Sequence, residues 1–259
     1  MSIRGIKRNA LLYSHANYPQ LQCGKRLAVT AGIKHGDKVL DMGCGTGEVT
    51  AILANIVGKE TPVTGVDPDQ GRIKLAAEQH SRVHQNMTFI TGDSSSQFPH
   101  FDKQYYDIHF SNFVFLWLNT DEKEKFLKTA FEILKPGGKI AVQSHEGDNA
   151  VVMELAEKFH NKTNDDTTAK TPRYYVSKEA TETLLRKAGF TLLYSDYIHY
   201  THTFATTEDF LAFFYASHYH DETKISHEDK NDLIRRIVNE DGPVTLFDPT
   251  VYQIVARKD

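Results

Sequence analysis

The stretch that decides the fold is VLDMGCGTGEVT, which runs from Val39 to Thr50. It opens with apolar residues around a single acid, Asp41, and continues into three glycines, Gly43, Gly45 and Gly47. Apolar residues then recur at helical spacing, at Val49, Ile52, Leu53, Ile56 and Val57. The pattern predicts a short buried strand, a glycine turn and a helix. Such a turn lets a ligand approach bare backbone and the unpaired N–H groups of the helix start.

The spacing of the glycines argues against two common phosphate-binding loops. A dinucleotide-binding turn has the pattern Gly-x-Gly-x-x-Gly, whereas this chain has Gly-x-Gly-x-Gly followed by Glu48. A P-loop needs Gly-Lys-Ser/Thr, which is absent here. Glu48 at the helix start would also repel a pyrophosphate. A ligand with a cationic part therefore fits better beside Asp41 and Glu48.

The overall composition is that of an ordinary globular protein. The chain has 259 residues, of which 40% are hydrophobic and 25% charged, enough for one domain with or without a cap. A net charge of -4 gives no electrostatic reason to expect a nucleic-acid partner. No apolar run approaches the ~20 residues of a membrane helix, and the N-terminal segment lacks the apolar core of a secretory signal. Two cysteines and no signal predict a reduced, cytoplasmic setting.

Strand-like and helix-like segments alternate along the first part of the chain. The strand candidates are KVLDMG, PVTGVDP, MTFITGD, the start of YYDIHFSNFVFLWL, and KIAVQSHE. This alternation predicts right-handed βαβ units and a parallel sheet covered on both faces. Further on, Ser177 and Gly189 are expected to begin and end a helix. The final segment, TLFDPTVYQIVARK, is expected to add a hairpin-like antiparallel pair at the sheet edge.

Two acids stand at the ends of predicted strands. Asp67 ends the second strand, where a carboxylate can accept hydrogen bonds from both hydroxyls of a ribose. Asp93 ends the third strand, where it can accept from an exocyclic amine such as that of adenine. The alternatives are a helix-capping role for Asp67 and a turn role for Asp93.

In these motifs the chain resembles the class I S-adenosylmethionine-dependent methyltransferases. The matching segments are VLDMGCGTG, GVDPD, GDSSSQFP, YYDIHFSN and LKPGGKIAVQ, in that order, and the likeness is strong from Lys38 to about Gln143. It implies an α/β, Rossmann-like fold with a seven-stranded, mostly parallel sheet and helices on both faces. Residues 1–259 would form a single domain, with a core at about 30–146 plus C-terminal strands. Segments 1–25 and 147–245 would form a mainly helical cap.

The resemblance implies S-adenosyl-L-methionine as the cofactor and a role for each matching residue. Gly43, Gly45 and Gly47 would pass under its methionine part, Asp41 would face its ammonium group, and Asp67 would hold its ribose. The remaining matches concern the adenosine and the acceptor side: Pro68 and Asp69 beside adenine and ribose, Asp93 and Ser94 at the adenine edge, and Ser111 and Asn112 beside the sulfonium.

The segment after the fourth strand, FSNFVFLWLNT, points to a small and partly lipophilic acceptor. It lacks the Asn-Pro-Pro-Tyr type of motif found in enzymes that methylate planar amide or ring nitrogens. The chain is most similar to the juvenile hormone acid methyltransferases and their relatives, in LYSHANYPQLQ, NFVFLWL and YQIVARK. That likeness implies that Gln20 and Trp117, both N–H donors, bind a substrate carboxylate. Gln22 competes with Gln20 for this role, and Trp117 has a plain core role as its alternative.

Four other side chains complete the list of candidates. His145, just past the fifth strand, is a candidate general base. His218 and His220 are separated by about 200° on a helix, so a surface or pocket wall is favoured over a metal site, and no metal is predicted. Cys44 is interpreted as a small packing residue.

The leading hypothesis is methyl transfer to a small molecule, at the oxygen of a carboxylate or a hydroxyl. A carboxylate needs no catalytic base, whereas a phenol or a neutral amine does. The alternatives are a small-molecule N-methyltransferase and a non-catalytic binding protein with the same fold. The sequence leaves the oligomeric state open.

Overall fold

The main sheet has seven strands in the order β3-β2-β1-β4-β5-β9-β6. The computed structural model describes residues 18–95, 98–147, 173–218 and 243–259. Within these ranges the strands of the main sheet are β1 (Val39–Met42), β2 (Val63–Asp67), β3 (Met87–Thr91), β4 (Tyr106–Asn112), β5 (Leu134–His145), β6 (Phe190–Tyr197) and β9 (Val251–Lys258). A separate two-stranded sheet pairs β7 (Tyr200–Phe204) with β8 (Val244–Asp248).

The helices of the described ranges lie between these strands. They are α1 (Tyr18–Ala31), α2 (Glu48–Val57), α3 (Gln70–His80), α4 (Thr120–Ile133), α5 (Lys178–Lys187) and α6 (Thr207–His218), with a 3₁₀ turn at Phe115–Trp117. Among them, none combines the length and the apolar character that crossing a membrane requires. The helices expected at Val151–Asn161 and in SHEDKNDLIRRIVNE lie outside the described residues.

The predicted seven-stranded, mostly parallel sheet is confirmed. Strands β1 to β5 pair in parallel with their neighbours, and β9 runs antiparallel to both β5 and β6. Parallel strands bring their carboxyl ends to one edge, and this edge carries the glycine turn after β1 and Asp67 at the end of β2.

The prediction for the final antiparallel pair was wrong. Only β9 joins the main sheet, where it lies between β5 and β6 instead of at the edge. β8 pairs with β7 in the second sheet. Burial explains the difference: nearly every residue of β9 is buried, as expected of an interior strand, whereas β8 alternates between buried and more exposed residues.

The core consists of two layers, one on each face of the sheet. Leu40 and Ile254 pack with Phe126 of α4 and Leu185 of α5 on one face. A second cluster covers the other face: Leu27, Val39, Leu53, Val63 and Val255. Consecutive residues of a strand point to opposite faces, so Leu40 and Val39 belong to different layers. The helices α1 and α2 therefore cover the face that Val39 and Asp41 share.

Local signals set the helix ends. Asn119 and Glu122 form a capping box at the start of α4. The predicted N-cap Ser177 accepts a hydrogen bond from the N–H of Ala180, and the chain leaves α5 at Gly189 with a φ of 98°. The roles predicted for Ser177 and Gly189 are confirmed.

A first prediction concerns Gly43, whose φ is 81° and whose added Cβ would lie 2.1 Å from Val114 Cγ2. Gly137 has a similar φ of 79°, but nothing lies within 4 Å of its added Cβ. We expect Gly137→Ala to lower the free energy of unfolding by about 1–2 kcal/mol through backbone strain alone. Gly43→Ala should lose about 1–3 kcal/mol more through overpacking.

Denaturant unfolding of the two variants measures the difference directly. Equal losses for Gly43→Ala and Gly137→Ala would show that the glycine turn is not tightly packed against Val114.

Candidate active site

The carboxylate of Asp67 fastens the glycine turn to the end of β2. Its Oδ2 accepts the N–H of Gly45 at 3.0 Å and its Oδ1 accepts the N–H of Asp69 at 2.9 Å. The N–H groups of Gly43 and Cys44 both donate to the carbonyl of Val66, at 2.6 and 3.0 Å. A carboxylate has about four acceptor positions, so Asp67 keeps capacity for further donors such as the hydroxyls of a ribose.

Asp67 is only 5% exposed, and its electrostatics reflect that burial. Burial is the largest influence and raises the pKa of Asp67, while nearby Arg72 and the two backbone donors act in the opposite direction. The net shift is upward. A donor that reached this carboxylate would therefore stabilise its charged form.

Asp41 lies under the same turn, in a small cavity that is also lined by Gln20, Glu48 and Asn112. Its Oδ2 accepts the hydroxyl of Thr50 at 2.6 Å. Burial raises the pKa of Asp41 to about 7, against the opposing hydrogen bond from Thr50 and with a further increase from the charge of Asp67. This arrangement suits a cationic group, because such a group would hold Asp41 in its ionised form.

A larger cavity of about 360 Å³ opens at the carboxyl ends of the parallel strands. The predicted residues that line it are Gln20, Gly43, Asp67, Pro68, Asp69, Asp93, Ser94, Asn112, Trp117 and His145. Gln20, Gly43 and Asn112 also line the small cavity that holds Asp41, so the two spaces adjoin. The structure thus brings most of the residues predicted from the motifs into one cleft.

Three predicted residues line neither of these two cavities. Gly45 and Gly47 act through the backbone: Gly45 donates to Asp67, and Gly47 has a φ of 87° at the start of α2. The side chain of Ser111 is fully buried, and its Oγ has no hydrogen-bond partner among the described residues. Strand alternation explains why Ser111 and Asn112 differ in position. Ser111 and His109 share the face of β4 toward α4, whereas Asn112 lies on the face toward α1.

His145 is held by a carboxylate in the wall of the main cavity. Its Nδ1 lies 3.2 Å from Asp248 Oδ2 and 3.3 Å from the hydroxyl of Thr250, and its ring stacks on Phe113 with centroids 4.6 Å apart. Burial raises the pKa of Asp248. The hydrogen bonds from His145 and Thr250, together with the charge of His145, outweigh burial and bring this pKa below its ordinary value. The pair is therefore an oriented imidazole beside an ionised carboxylate.

Other residues that line the main cavity belong to none of the sequence motifs. They come from the second sheet, from α6 and from the chain before α5: Arg173, Tyr200, His202, Phe204, Phe213, Leu246 and Asp248. The guanidinium of Arg173 lies 5.0 Å from the centre of the Trp117 ring. Burial lowers the pKa of His202 to about 4, so this imidazole is neutral at pH 7. The pairing of β7 with β8, which creates this wall, joins residues 40 to 48 positions apart.

Neither a thiol nor a metal site adds to the chemistry of the described cleft. Cys44 is buried, and burial raises the pKa of its thiol well above the ordinary value, which agrees with a packing role. In ranges 18–95, 98–147, 173–218 and 243–259 no group of three or more His, Cys, Asp or Glu residues is arranged to hold a metal ion. The predicted His218–His220 pair falls on residues outside the description of side chains.

The geometry fits the cofactor that the motifs imply. Gly43 presents bare backbone between the two cavities, where a side chain would collide with Val114. Asp41 and Asp67 are buried carboxylates at the same edge of the sheet, and each keeps acceptor capacity. A ligand with an ammonium group and a ribose meets both requirements.

Comparisons with known proteins point to the same family. Residues 39–138 match the family described as "Methyltransferase domain". The C-methyltransferase UbiE of ubiquinone and menaquinone biosynthesis from Photorhabdus laumondii subsp. laumondii is 33% identical over 121 residues, which are 46% of this chain and 47% of that protein. The chain thus spans about half the length of the curated relatives it matches.

Two solved structures share the fold over most of this chain. An S-adenosylmethionine-dependent methyltransferase from Aquifex aeolicus aligns with a TM-score of 0.57 at 14% identity, over 97% of this chain and 98% of its own. Geranyl diphosphate C-methyltransferase from Streptomyces coelicolor A3(2), solved with Mg²⁺, geranyl diphosphate and S-adenosyl-L-homocysteine, aligns with a TM-score of 0.57 at 13% identity, over 92% and 78% of the two chains. At these identities the likeness shows the fold.

A second prediction concerns Asp41, whose pKa in the folded protein is about 7 against 3.8 for an ordinary aspartate. The folded protein binds more protons than the unfolded chain between these values, so this group lowers the stability as pH rises from about 4 to 7. Asp41→Asn keeps an acceptor for Thr50 but removes the ionisation. We expect the variant to gain stability relative to the parent across that pH range, with a constant difference above it.

Thermal and denaturant unfolding of the ligand-free proteins at constant ionic strength provide the measurement. Parallel stability curves for the parent and Asp41→Asn would mean that Asp41 titrates like an exposed aspartate.

Proposed function

We propose that this protein, whose residues 39–138 match the methyltransferase domain family, is a class I S-adenosylmethionine-dependent methyltransferase that transfers a methyl group to an oxygen of a small, largely apolar acceptor. The family match and the curated relatives support the class and the cofactor that the motifs predict. The juvenile hormone acid subtype stays a prediction. A cytoplasmic location and the lack of a nucleic-acid partner stay predictions as well.

The residues of the cleft are suited to hold and orient the cofactor. When bound, S-adenosylmethionine supplies a methyl group that its sulfonium has already activated. Asp67 is placed to accept the ribose hydroxyls and Asp41 to face the ammonium group. The chain's contribution is then to align the acceptor and exclude water, and such positioning supplies up to about 7–11 kcal/mol in intramolecular reactions.

The observation that carries the choice of acceptor is a set of N–H donors beside a group of apolar side chains in the wall of the main cavity. Phe113, Val114, Leu116, Phe204, Phe213 and Leu246 form much of its wall. Gln20, Trp117 and Arg173 line the same space, and Arg173 stacks over Trp117. Amide, indole and guanidinium groups all donate hydrogen bonds, which a carboxylate accepts. A carboxylic acid with an apolar body therefore matches the hydrogen-bond donors and the apolar side chains of this part of the wall.

The size of the cavity and the relatives agree with a small acceptor. A volume of about 360 Å³ lies in the usual range for small-molecule pockets, about 300–1,000 Å³. The relative from Photorhabdus is named for quinone biosynthesis, and the Streptomyces protein was solved with geranyl diphosphate. Both are C-methyltransferases by name, so the position of the transferred methyl group must be determined chemically.

A hydroxyl acceptor is the second candidate, and the His145–Asp248 pair favours it. A hydroxyl loses its proton during methylation, and an imidazole oriented by a carboxylate is a common acceptor for such a proton. A carboxylate acceptor is already ionised at pH 7 and leaves His145 with a binding role only.

A third prediction tests the cofactor site through Asp67. S-adenosylhomocysteine at a hundredfold excess over its dissociation constant should stabilise the parent by about 2.7 kcal/mol. Asp67→Ala should lose this stabilisation, because it removes both the ribose acceptor and the bond to Gly45. Asp107→Ala is the matched control: both oxygens of Asp107 accept hydrogen bonds, from Lys38 and Lys135, yet Asp107 lines neither cavity.

Calorimetry of the three proteins, each with and without S-adenosylhomocysteine, gives the result. If Asp67→Ala keeps the full shift, or the parent shows none at millimolar ligand, the cofactor assignment is wrong.

A fourth prediction separates the two acceptor classes by assaying acids and alcohols that share a carbon skeleton. If the acceptor is a carboxylate, Arg173→Gln should raise KM for the acids about tenfold or more, and His145→Gln should leave kcat within about threefold, since general-base catalysis is not required. If it is a hydroxyl, His145→Gln should reduce kcat by about 10²–10⁴-fold.

Mass spectrometry of the product locates the methyl group. A methyl on carbon or nitrogen would contradict the proposed oxygen acceptor. Cofactor binding without any transfer would favour the non-catalytic alternative.

A further inference from the structure

A continuous row of hydrogen bonds crosses the sheet from β9 to α1. The hydroxyl of Thr30 donates to Gln253 Oε1 at 3.0 Å, and Gln253 Nε2 donates to Gln143 Oε1 at 2.6 Å. Gln143 Nε2 donates to Asn112 Oδ1 at 2.6 Å, and Asn112 Nδ2 donates to the carbonyl oxygen of Gln20 at 2.9 Å. We call Gln253, Gln143 and Asn112 the amide row.

The amide row is built into the register of the sheet. Gln143 lies directly opposite Gln253 in the antiparallel pair β5–β9, and Asn112 lies directly opposite Gln143 in the parallel pair β4–β5. The three side chains therefore stand side by side on the face that α1 covers. Thr30 belongs to the last turn of α1 and Gln20 to its first, so the row bonds to both ends of this helix.

The row has one direction, and this fixes the orientation of every amide in it. Each carboxamide has an acceptor oxygen and a donor NH₂ group. Every oxygen here accepts from the preceding member and every NH₂ donates to the next. Turning over Gln143 would set oxygen against oxygen and NH₂ against NH₂. Gln143 and Gln253 are 0% exposed, so water cannot repair such a break.

The row ends at two of the three residues that line both cavities. Gln20 and Asn112 line both the main cavity and the small cavity that holds Asp41. Neither Gln143 nor Gln253 lines either one. The approach of α1 to this point is close, since a Cβ added at Gly24 would lie 2.8 Å from Val49 and 3.2 Å from Asn112 Nδ2. A small displacement of the first turn of α1 would therefore change the shape of both cavities.

We propose that Gln143 and Gln253 are positioning residues, which act through Asn112 to hold the first turn of α1, and with it Gln20, against the cleft. The nature of the bound ligand rests on the proposed function, but the placement of α1 does not. Loss of the Gln143 amide leaves Gln253 Nε2 and Asn112 Oδ1 without their partner in the row, so each neighbour is held at one end only. Ligand affinity should then fall by more than a general loss of stability explains.

The test uses Gln143→Leu, with Gln143→Met as an unbranched second variant in case the first does not fold. Thr181→Val is the matched control, because the Thr181 hydroxyl pairs with Tyr252 at 2.8 Å, both residues are 0% exposed, and neither lines a cavity. Trp117 is the single tryptophan of the chain and lines the main cavity, so its fluorescence can report titration with S-adenosylhomocysteine.

We expect the Gln143 variants to bind S-adenosylhomocysteine at least tenfold more weakly than the parent. The backbone amides of residues 22–24, which bond to the carbonyls of the first turn of α1, should exchange faster. Thr181→Val should destabilise the fold without either effect. A double-mutant cycle of Gln143→Leu with Gln253→Leu should be strongly non-additive, because the first variant already interrupts the row.

Two results would overturn the positioning role. One is a dissociation constant within twofold of the parent; the other is amide exchange at residues 22–24 that rises no more than in Thr181→Val. If the parent itself binds no S-adenosylhomocysteine, the proposed function fails, and amide exchange alone decides whether the row positions α1.

Discussion

The cleft depends on the bond between the buried carboxylate of Asp67 and the N–H of Gly45. Three glycines with positive φ let the backbone turn after β1, but glycine loses much conformational freedom on folding and does not hold the turn by itself. Asp67 supplies the restraint, because one oxygen holds the turn after β1 and the other holds the start of the turn toward α3. The bare backbone of Gly43 then forms a surface between the two cavities.

The same carboxylates make the ligand-free protein less stable than its packing would allow. Asp41 and Asp67 lie in the same low-dielectric region, and burial raises the pKa of both. Each charge also raises the free energy of the other. A cationic ligand with hydroxyl donors would reduce both the cost of burying the two carboxylates and their mutual repulsion. The free energy of this relief would contribute to ligand binding. This is a common relation between stability and function at active sites.

The sequence predicted the parts of the fold that local patterns determine. The unit of β1, glycine turn and α2 is local, and so are the cap at Ser177 and the stop at Gly189. The features it did not predict need distant pairing. Gln143 and Gln253 are 110 residues apart, and β8 could be assigned to the second sheet only through its partner β7. Ser111 and Asn112 are neighbours with the same predicted role beside the sulfonium. Because successive residues of β4 point to opposite faces, only Asn112 lines the cleft.

A crystal structure with S-adenosylhomocysteine would locate each part of the ligand in the cleft. Both ribose hydroxyls should donate to the carboxylate of Asp67 while its bond to Gly45 persists, and the ammonium group should lie in the small cavity beside Asp41. A ribose bound elsewhere, or a ligand that reaches the cleft only after the Asp67–Gly45 bond has broken, would contradict this arrangement.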